Sequence, residues 1–212
     1  MKPEPLTRRD LLFKCAAMGS LTLAPSLGLA ESIRWWEEQE RGARKPTPRN
    51  ELGPFYKGQA PLNPHLRAPG DPGLPLAVSG LVFSTNGAAL PHSRVEIWQA
   101  DHLGQYDLKG FRYRATITAD DSGKYWFDTV MPGHYPGRIG QHIHYVVTAP
   151  GHKPLTTQLY FATDPAFEGD PDRNYGRDPL LHSRELIRPV TIAGDPKEIH
   201  ALVNFEVVLE RL

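Results

Sequence analysis

Short apolar runs separated by turn signals recur along most of this 212-residue chain. The runs are rich in Val, Ile, Thr and aromatic residues, a composition that predicts β-strands. The predicted strands cover residues 76–84, 94–100, 112–119, 124–129, 142–149, 155–162, 186–192 and 200–209. Because helical periodicity is almost absent, the pattern predicts an all-β fold, an antiparallel β-sandwich with long loops.

The remaining stretches divide the chain into three parts. We assign residues 1–30 to an N-terminal signal segment, residues 31–75 to an arm and coil, and residues 76–212 to the β-sandwich domain. Trp35-Trp36 lie near the start of the arm, where a short helix or arm that docks by its tryptophans is expected. Within the domain, the stretch from Asp164 to Arg184 has no periodicity, and loops of this length in compact domains are usually functional or mobile.

Two histidines, His142 and His144, flank one isoleucine at the start of the predicted strand 142–149. Successive side chains of a strand point to opposite faces. The two imidazoles therefore emerge on the same side, and Ile143 and Tyr145 face the other side. Two imidazoles one pleat apart are suited to bind a metal ion.

The first thirty residues have the pattern of an export signal. Thr7-Arg8-Arg9-Asp10-Leu11-Leu12 precedes a mildly apolar stretch, and Gly28-Leu29-Ala30 offers small residues for cleavage. The adjacent arginines indicate a twin-arginine signal, which a receptor reads and which is not a membrane anchor. An ordinary secretory signal with a basic end is the alternative. Both interpretations predict an exported, periplasmic protein.

Cys15, the single cysteine, lies inside this proposed signal. The processed chain would therefore have no disulfide, and a metal would be bound by His, Tyr, Asp or Glu. Residues 1–30 hold four basic and two acidic residues of the 24 of each, which leaves 20 basic and 22 acidic. This balance gives no reason to expect nucleic acid or anionic lipid as a partner. No other segment is apolar over the length that a membrane span needs. The sequence is also compatible with a homo-oligomer.

Two tyrosines lie in turns next to predicted strands. Tyr106 follows the strand 94–100, and Tyr135 lies in the turn before His142. A phenol normally loses its proton near pH 10, but a hard trivalent cation such as Fe(III) stabilises phenolate oxygen. A set of two phenolates and two imidazoles differs from the two-His-one-carboxylate triad of Fe(II) oxygenases and from closed zinc sites. The set therefore indicates ferric iron.

Several ordered motifs occur between about Glu51 and about Phe161. In chain order they are Gly53-Pro54-Phe55-Tyr56, Val95-Glu96-Ile97-Trp98-Gln99-Ala100-Asp101 followed by Gly104-Gln105-Tyr106-Asp107, Met131-Pro132-Gly133-His134-Tyr135-Pro136, His142-Ile143-His144, Ala149-Pro150-Gly151-His152 and Leu155-Thr156-Thr157-Gln158-Leu159-Tyr160-Phe161. Together they resemble the intradiol ring-cleavage dioxygenases, the family of protocatechuate 3,4-dioxygenase and catechol 1,2-dioxygenase.

The resemblance implies non-haem Fe(III) as the cofactor, a catecholic substrate and O2 as the reactants, and a muconate-type dicarboxylate as the product. The ring would open between its two hydroxylated carbons, with both atoms of O2 incorporated. The implied iron ligands are Tyr106, Tyr135, His142 and His144.

The resemblance also implies roles around the iron. Tyr135 would leave the metal and accept a substrate proton, and Arg138 and Gln158 would line the site and stabilise an anionic intermediate. Arg138 lies four residues before His142, whereas the family pattern places an arginine three residues before the histidine. The extra loop residue could bulge out harmlessly or could aim the guanidinium elsewhere.

Two other interpretations stay open at this point. One is an exported β-sandwich binding module without catalysis, because sandwiches host many unrelated functions. The other is an enzyme that uses a different metal at His142 and His144 alone, for which the tyrosines would be dispensable. Each tyrosine taken alone is typical of a packed ring with a hydrogen-bonded hydroxyl. The joint occurrence of all four residues favours iron.

Overall fold

A computed structural model of the chain describes residues 42–194 and 199–212. The proposed export signal and Trp35-Trp36 lie outside the described residues. Within these ranges the strands are β1 (Pro75–Ser84), β2 (Arg94–Trp98), β3 (Arg114–Thr118), β4 (Lys124–Val130), β5 (His142–Thr148), β6 (Leu155–Phe161), β7 (Ile187–Arg188), β8 (Thr191–Ala193), β9 (His200–Asn204) and β10 (Val207–Leu209).

Helical structure in the described residues is confined to the connection between β6 and β7. It comprises the four-residue helix α1 (Pro171–Asn174) and 3-10 turns at Pro165–Phe167, Tyr175–Arg177 and Arg184–Leu186. Within the described part of the chain, no helix has the length and apolar character needed to cross a membrane.

The strands form two sheets. One sheet has the order β3-β2-β5-β6-β7, and the other joins β4, β1, β9 and β8, with β10 also paired to β1. The predicted all-β sandwich is confirmed, with one correction to its antiparallel character. β1 pairs in parallel with β9 and with β10, and β6 pairs in parallel with β7, so both sheets are mixed.

Two of the predicted strands are divided in the structure. The run 186–192 splits around Pro189, whose nitrogen has no hydrogen to donate to a sheet. The run 200–209 splits at Phe205, whose backbone amide donates to Ser79 at 2.8 Å and whose carbonyl accepts the Tyr125 hydroxyl at 2.5 Å. Both interruptions come more than 40 residues after the histidine strand β5 in the sequence.

The core lies between the two sheets and is built around Tyr145 of β5. Its ring contacts those of Tyr125, Phe127 and Phe205 from the other sheet at centroid distances of 5.1–6.4 Å, and all four side chains are buried. Because side chains alternate along β5, this packing turns His142 and His144 to the opposite face of their sheet.

Residues 42–74 form an extended coil that hydrogen-bonds to both sheets. The amides of Thr47, Asn50 and Leu66 donate to carbonyls of β10, β6 and β4 respectively, namely those of Val208, Thr156 and Asp128. This path brings the Glu51 carbonyl and Gly53 against the ring of His144, so this imidazole is covered although it points away from the core.

Candidate metal centre

β5 presents His142 and His144 on one face, as the alternation of the sequence predicts. Their ring centroids are 4.8 Å apart, and the residues are 3% and 1% exposed. The sheet register places Trp98 of β2 and Gln158 of β6 on either side of His144. The middle strand of this sheet therefore carries two buried imidazoles at a fixed spacing.

Both imidazoles turn Nδ1 toward a backbone carbonyl. His142 Nδ1 lies 2.7 Å from the Gly140 oxygen, and His144 Nδ1 lies 3.3 Å from the Glu51 oxygen. A neutral ring that donates through Nδ1 keeps the Nε2 lone pair free for a metal. Burial lowers the pKa of His142 to about 4 and the pKa of His144 well below its usual value, so both rings are neutral at pH 7.

The two predicted tyrosines reach the same place from separate turns. The Tyr135 hydroxyl lies 3.3 Å from His142 Nε2. The Tyr106 ring lies 5.5 Å from the Tyr135 ring and 6.3 Å from the His144 ring, centroid to centroid. The structure thus brings together the four side chains that the sequence singles out as ligands.

The turn that carries Tyr106 is held by aspartates on both sides. Asp101 Oδ1 accepts the amides of Leu103 and Gln105, each at 2.9 Å. Asp107 accepts three amides of the segment 109–112, and these bonds, led by that from Gly110, lower the pKa of Asp107 to about 2. Local side-chain-to-backbone bonds therefore fix the position of the Tyr106 backbone.

Among the described residues, two buried polar atoms of the cluster, the Tyr106 hydroxyl oxygen and His144 Nε2, have no hydrogen-bond partner of normal geometry, although the Tyr106 hydroxyl lies beside that of Tyr135. A buried polar atom left unsatisfied costs about 1–3 kcal/mol, so two in one cluster need an explanation. Burial, followed by the neighbouring Tyr135, raises the pKa of Tyr106 well above its usual value. A hard cation shared by the four side chains would satisfy both atoms and stabilise the phenolate form, so the residues present fit ferric iron.

Carboxylates do not provide an alternative donor set here. In residues 42–194 and 199–212, no three or more His, Cys, Asp and Glu side chains are grouped so that they could share a metal ion.

Arg138 and Gln158 lie together beside the histidines. Arg138 Nη2 donates to Gln158 Oε1 at 2.8 Å and to the Tyr160 hydroxyl at 2.5 Å. Gln158 Nε2 donates to the Glu51 carbonyl at 2.7 Å and lies 3.1 Å from His144 Nδ1. The extra residue between Arg138 and His142 does not turn the guanidinium away, since Arg138 is 7% exposed and points at Gln158.

Other residues hold the ligands, and the motifs alone did not identify them. Trp98 lies parallel to His144, with centroids 4.8 Å apart and planes 6° apart, and Phe55 stacks on Tyr106 at 4.3 Å. The buried Arg114 donates to the carbonyls of Phe55 and Asp107 and so ties the coil to the Tyr106 turn. Phe55 and Trp98 belong to the motifs quoted above, which was their only sequence signal, whereas Arg114 belongs to none of them.

A family model described as Dioxygenase matches residues 52–211. Catechol 1,2-dioxygenase 2 of Acinetobacter lwoffii is 37% identical over 153 residues, which cover 60% of this chain and 56% of that enzyme. Hydroxyquinol 1,2-dioxygenase of Rhodococcus opacus is 32% identical over 187 residues, which cover 74% of this chain and 62% of that enzyme. The chain belongs to the intradiol ring-cleavage dioxygenase family, and it spans less than two thirds of the length of these two relatives.

Solved structures show the same fold. The dioxygenase domain of a dioxygenase carbohydrate-binding protein fusion from Streptomyces sp. SirexAA-E has a TM-score of 0.68 at 34% identity and covers 79% of this chain and 100% of that domain. Catechol 1,2-dioxygenase from Pseudomonas arvilla C-1 has a TM-score of 0.67 at 26% identity and covers 85% of this chain and 67% of that one.

Proposed function

We propose that this protein is an Fe(III)-dependent intradiol dioxygenase that opens a catecholic ring between its two hydroxylated carbons and releases a muconate-type dicarboxylate. The observation that carries this proposal is the convergence of two phenols and two neutral imidazoles, in which the Tyr106 hydroxyl and His144 Nε2 have no hydrogen-bond partner of normal geometry in the described part of the chain. The names of the catechol and hydroxyquinol dioxygenases that the chain resembles support the substrate class.

Tyr106, Tyr135, His142 and His144 would hold the iron through their phenol oxygens and Nε2 atoms. When bound, ferric iron withdraws electron density from a chelated catecholate and makes the ring reactive toward O2. The chain supplies the geometry for this reaction. The imidazoles are fixed by the sheet and by the carbonyls of Gly140 and Glu51.

Tyr135 is the protein group placed to accept a substrate proton. It is half-buried in a turn, and its hydroxyl lies 3.3 Å from His142 Nε2. A phenolate oxygen is a proton acceptor. Tyr135 would therefore accept a proton from the catechol.

Arg138 and Gln158 would stabilise negative charge on the opened ring. Arg138 keeps its guanidinium buried and joined to the Gln158 carbonyl oxygen. Donors that are fixed before the reaction, in a site from which water is excluded, act strongly on charge that develops in the transition state. The pair therefore suits an anionic intermediate beside the imidazoles.

Oxygen uptake by the iron-loaded protein tests the proposal, with catechol, protocatechuate and hydroxyquinol as substrates. We expect uptake with at least one of them and, with labelled oxygen, both atoms in the ring-opened product by mass spectrometry. Tyr135→Phe and His144→Ala should abolish turnover. A protein that carries stoichiometric iron and consumes no oxygen would overturn the proposal and favour a binding module. Full activity in both Tyr106→Phe and Tyr135→Phe would favour a metal site at the histidines alone.

We also propose that residues 1–30 export the protein to the periplasm by the twin-arginine route. The support is the position of Arg8-Arg9 before an apolar stretch that ends in small residues. Cell fractionation of the full chain and of an Arg8→Lys/Arg9→Lys variant tests this. Periplasmic protein that moves to the cytoplasm in the variant supports the route. Unchanged export of the variant indicates the ordinary secretory route, and cytoplasmic retention of both proteins rejects export.

A further inference from the structure

The segment from Asp164 to Arg184, here called the excursion, places two buried carboxylates against the loop that leads into β5. Asp164 and Asp178 are each 1% exposed. The Gly140 amide donates to Asp178 Oδ2 at 3.0 Å, and the next amide, that of Gln141, donates to Asp164 Oδ2 at 2.6 Å. Two successive amides directly before His142 are therefore bound by carboxylates from two different parts of the excursion, its first residue Asp164 and the later Asp178.

Asp178 also faces Arg138. The same Oδ2 atom that accepts the Gly140 amide lies 3.6 Å from Arg138 Nε, and the side chains are 0% and 6% exposed. The other end of the guanidinium, Nη2, donates to Gln158 and Tyr160. The Asp178 carboxylate is thus within ion-pair distance of Arg138 Nε, without a hydrogen bond, while Nη2 at the other end is hydrogen-bonded to the Gln158 side chain.

The loop between Arg138 and His142 is one residue longer than the family pattern. A side chain at Gly140 would come within 3.0 Å of the Tyr160 ring and 3.2 Å of Asp178 Oδ2, so the backbone passes close to both. The Gly140 carbonyl, in turn, faces His142 Nδ1 at 2.7 Å. Asp178 therefore contacts the loop at Gly140, two residues after Arg138, where a change in the backbone path would redirect the Arg138 side chain.

We propose that Asp178 is a positioning residue for ring cleavage, which acts by holding the Arg138 guanidinium against Gln158 beside the histidines. This inference rests on the proposed function. A buried carboxylate is costly unless it is paired and hydrogen-bonded. Asp178 is paired with Arg138, its Oδ2 accepts the Gly140 amide, and its Oδ1 accepts the Leu180 amide of the excursion. Asp164 contacts the same loop and binds His134 at 2.8 Å, but among the described residues it makes no hydrogen bond to Arg138.

A double-mutant cycle on the iron-loaded full chain tests the role, because residues that act through one another have non-additive effects. In Asp178→Ala we expect kcat to fall about tenfold or more, because a misplaced Arg138 would lose part of its stabilisation of negative charge, with a smaller change in KM. In the double variant with Arg138→Ala, kcat should fall no further than in Arg138→Ala alone. Asp164→Ala is the buried control, and its effect should multiply with that of Arg138→Ala.

Asp178→Asn separates the ion pair from the loop contact. Asparagine keeps an oxygen for the Gly140 amide but removes the charge that faces Arg138. Deuterium uptake of the peptide 137–141 should therefore match that of the unaltered protein in Asp178→Asn and rise in Asp178→Ala, while kcat stays reduced in both. Asp172→Asn, an exposed position of the excursion paired with Arg184, should change neither quantity. Iron content and visible absorption are recorded for every variant.

The possible failures are distinguishable. If the unaltered protein with bound iron cleaves no catechol, the proposed function fails and this inference fails with it. If it cleaves catechol but the effects of Asp178→Ala and Arg138→Ala multiply, or if Asp178→Asn restores full kcat, the inference alone is rejected and Asp178 is a loop anchor only.

Discussion

The indole of Trp98 lies parallel to the imidazole of His144, with ring centroids 4.8 Å apart and planes 6° apart. The two residues are directly opposite each other in the pairing of β2 with β5. Together with the Glu51 carbonyl at Nδ1, the stack fixes the plane of the imidazole and hence the direction of its Nε2 lone pair. The sheet itself therefore orients this proposed ligand.

Loss of the stack should weaken iron binding. In Trp98→Leu we expect the iron affinity to fall about tenfold or more, as for other groups that orient a metal ligand. Trp98→Phe, which retains a flat ring, should keep most of the affinity. Competition with a chelator measures the affinity, and circular dichroism checks that both variants are folded. Equal affinities in the two variants would show that the flat ring does not orient His144.

Removal of the Tyr106 hydroxyl should stabilise the metal-free protein but weaken its iron site. The Tyr106 hydroxyl is buried beside Tyr135 and has no hydrogen bond of normal geometry among the described residues, so Tyr106→Phe should raise the free energy of unfolding of metal-free protein by about 1 kcal/mol. In iron-loaded protein it should remove one phenolate ligand and reduce the visible absorption. Urea unfolding and absorption spectra measure the two effects.

Tyr125→Phe is the matched control for that experiment. The Tyr125 hydroxyl donates to the Phe205 carbonyl at 2.5 Å, so its removal should lower the free energy of unfolding by about 1 kcal/mol. Visible absorption should not change, because Tyr125 lies in the core between the sheets. A stabilised Tyr125→Phe or a destabilised metal-free Tyr106→Phe would contradict the assignment of the unsatisfied atom.

Gly53 should be required for the position of His144. Its φ is +72°, and a Cβ there would lie 3.0 Å from His144 Cε1. Gly151 has the same φ of +72° with nothing within 4 Å of such a Cβ. Both alanine variants should lose roughly 1 kcal/mol of stability from the left-handed backbone. Gly53→Ala alone should also lose iron affinity, which chelator competition measures, and equal affinity in both variants would be evidence against the close approach.

Asp71 should contribute to stability at neutral pH but not in acid. The Ala68 amide, aided by Tyr113 and Arg112, holds the pKa of the Asp71 carboxyl below its usual value. A carboxyl with a lowered folded-state pKa stabilises the fold above its unfolded pKa of about 3.9 and loses that contribution as the pH falls through the folded pKa. The urea midpoint of Asp71→Asn should therefore lie below that of the unaltered protein at pH 7, and the gap should shrink below about pH 4. A gap that is constant with pH would rule out this linkage.

The sequence predicted the strands and the face of β5 well, because alternation along one strand is a local property. His142 and His144 lie on one face of β5 and Ile143 on the other, as this alternation predicts. Alternation is the same for parallel and antiparallel neighbours, so it could not reveal that β1 pairs in parallel with β9 and β10.

The surroundings of the candidate site depend on contacts between distant parts of the chain. Tyr106 and Tyr135 were identified by resemblance to a family, and their turns alone would have fitted packed rings equally well. The contact of Asp178 with Gly140 joins residues 38 positions apart, and the stack of Trp98 on His144 depends on strand register. Neither leaves a periodic signal in the sequence.

The imidazoles belong to the middle strand of a sheet, whereas both phenols come from turns. An ion held by this set would be bound by one strand on one side and by two separate turns on the other. Changes in turn length, such as the extra residue between Arg138 and His142, can then alter the site for a differently substituted ring without changing the spacing of the strand donors. Divergence of substrate preference within this architecture is expected to concentrate on the tyrosine side of the ion.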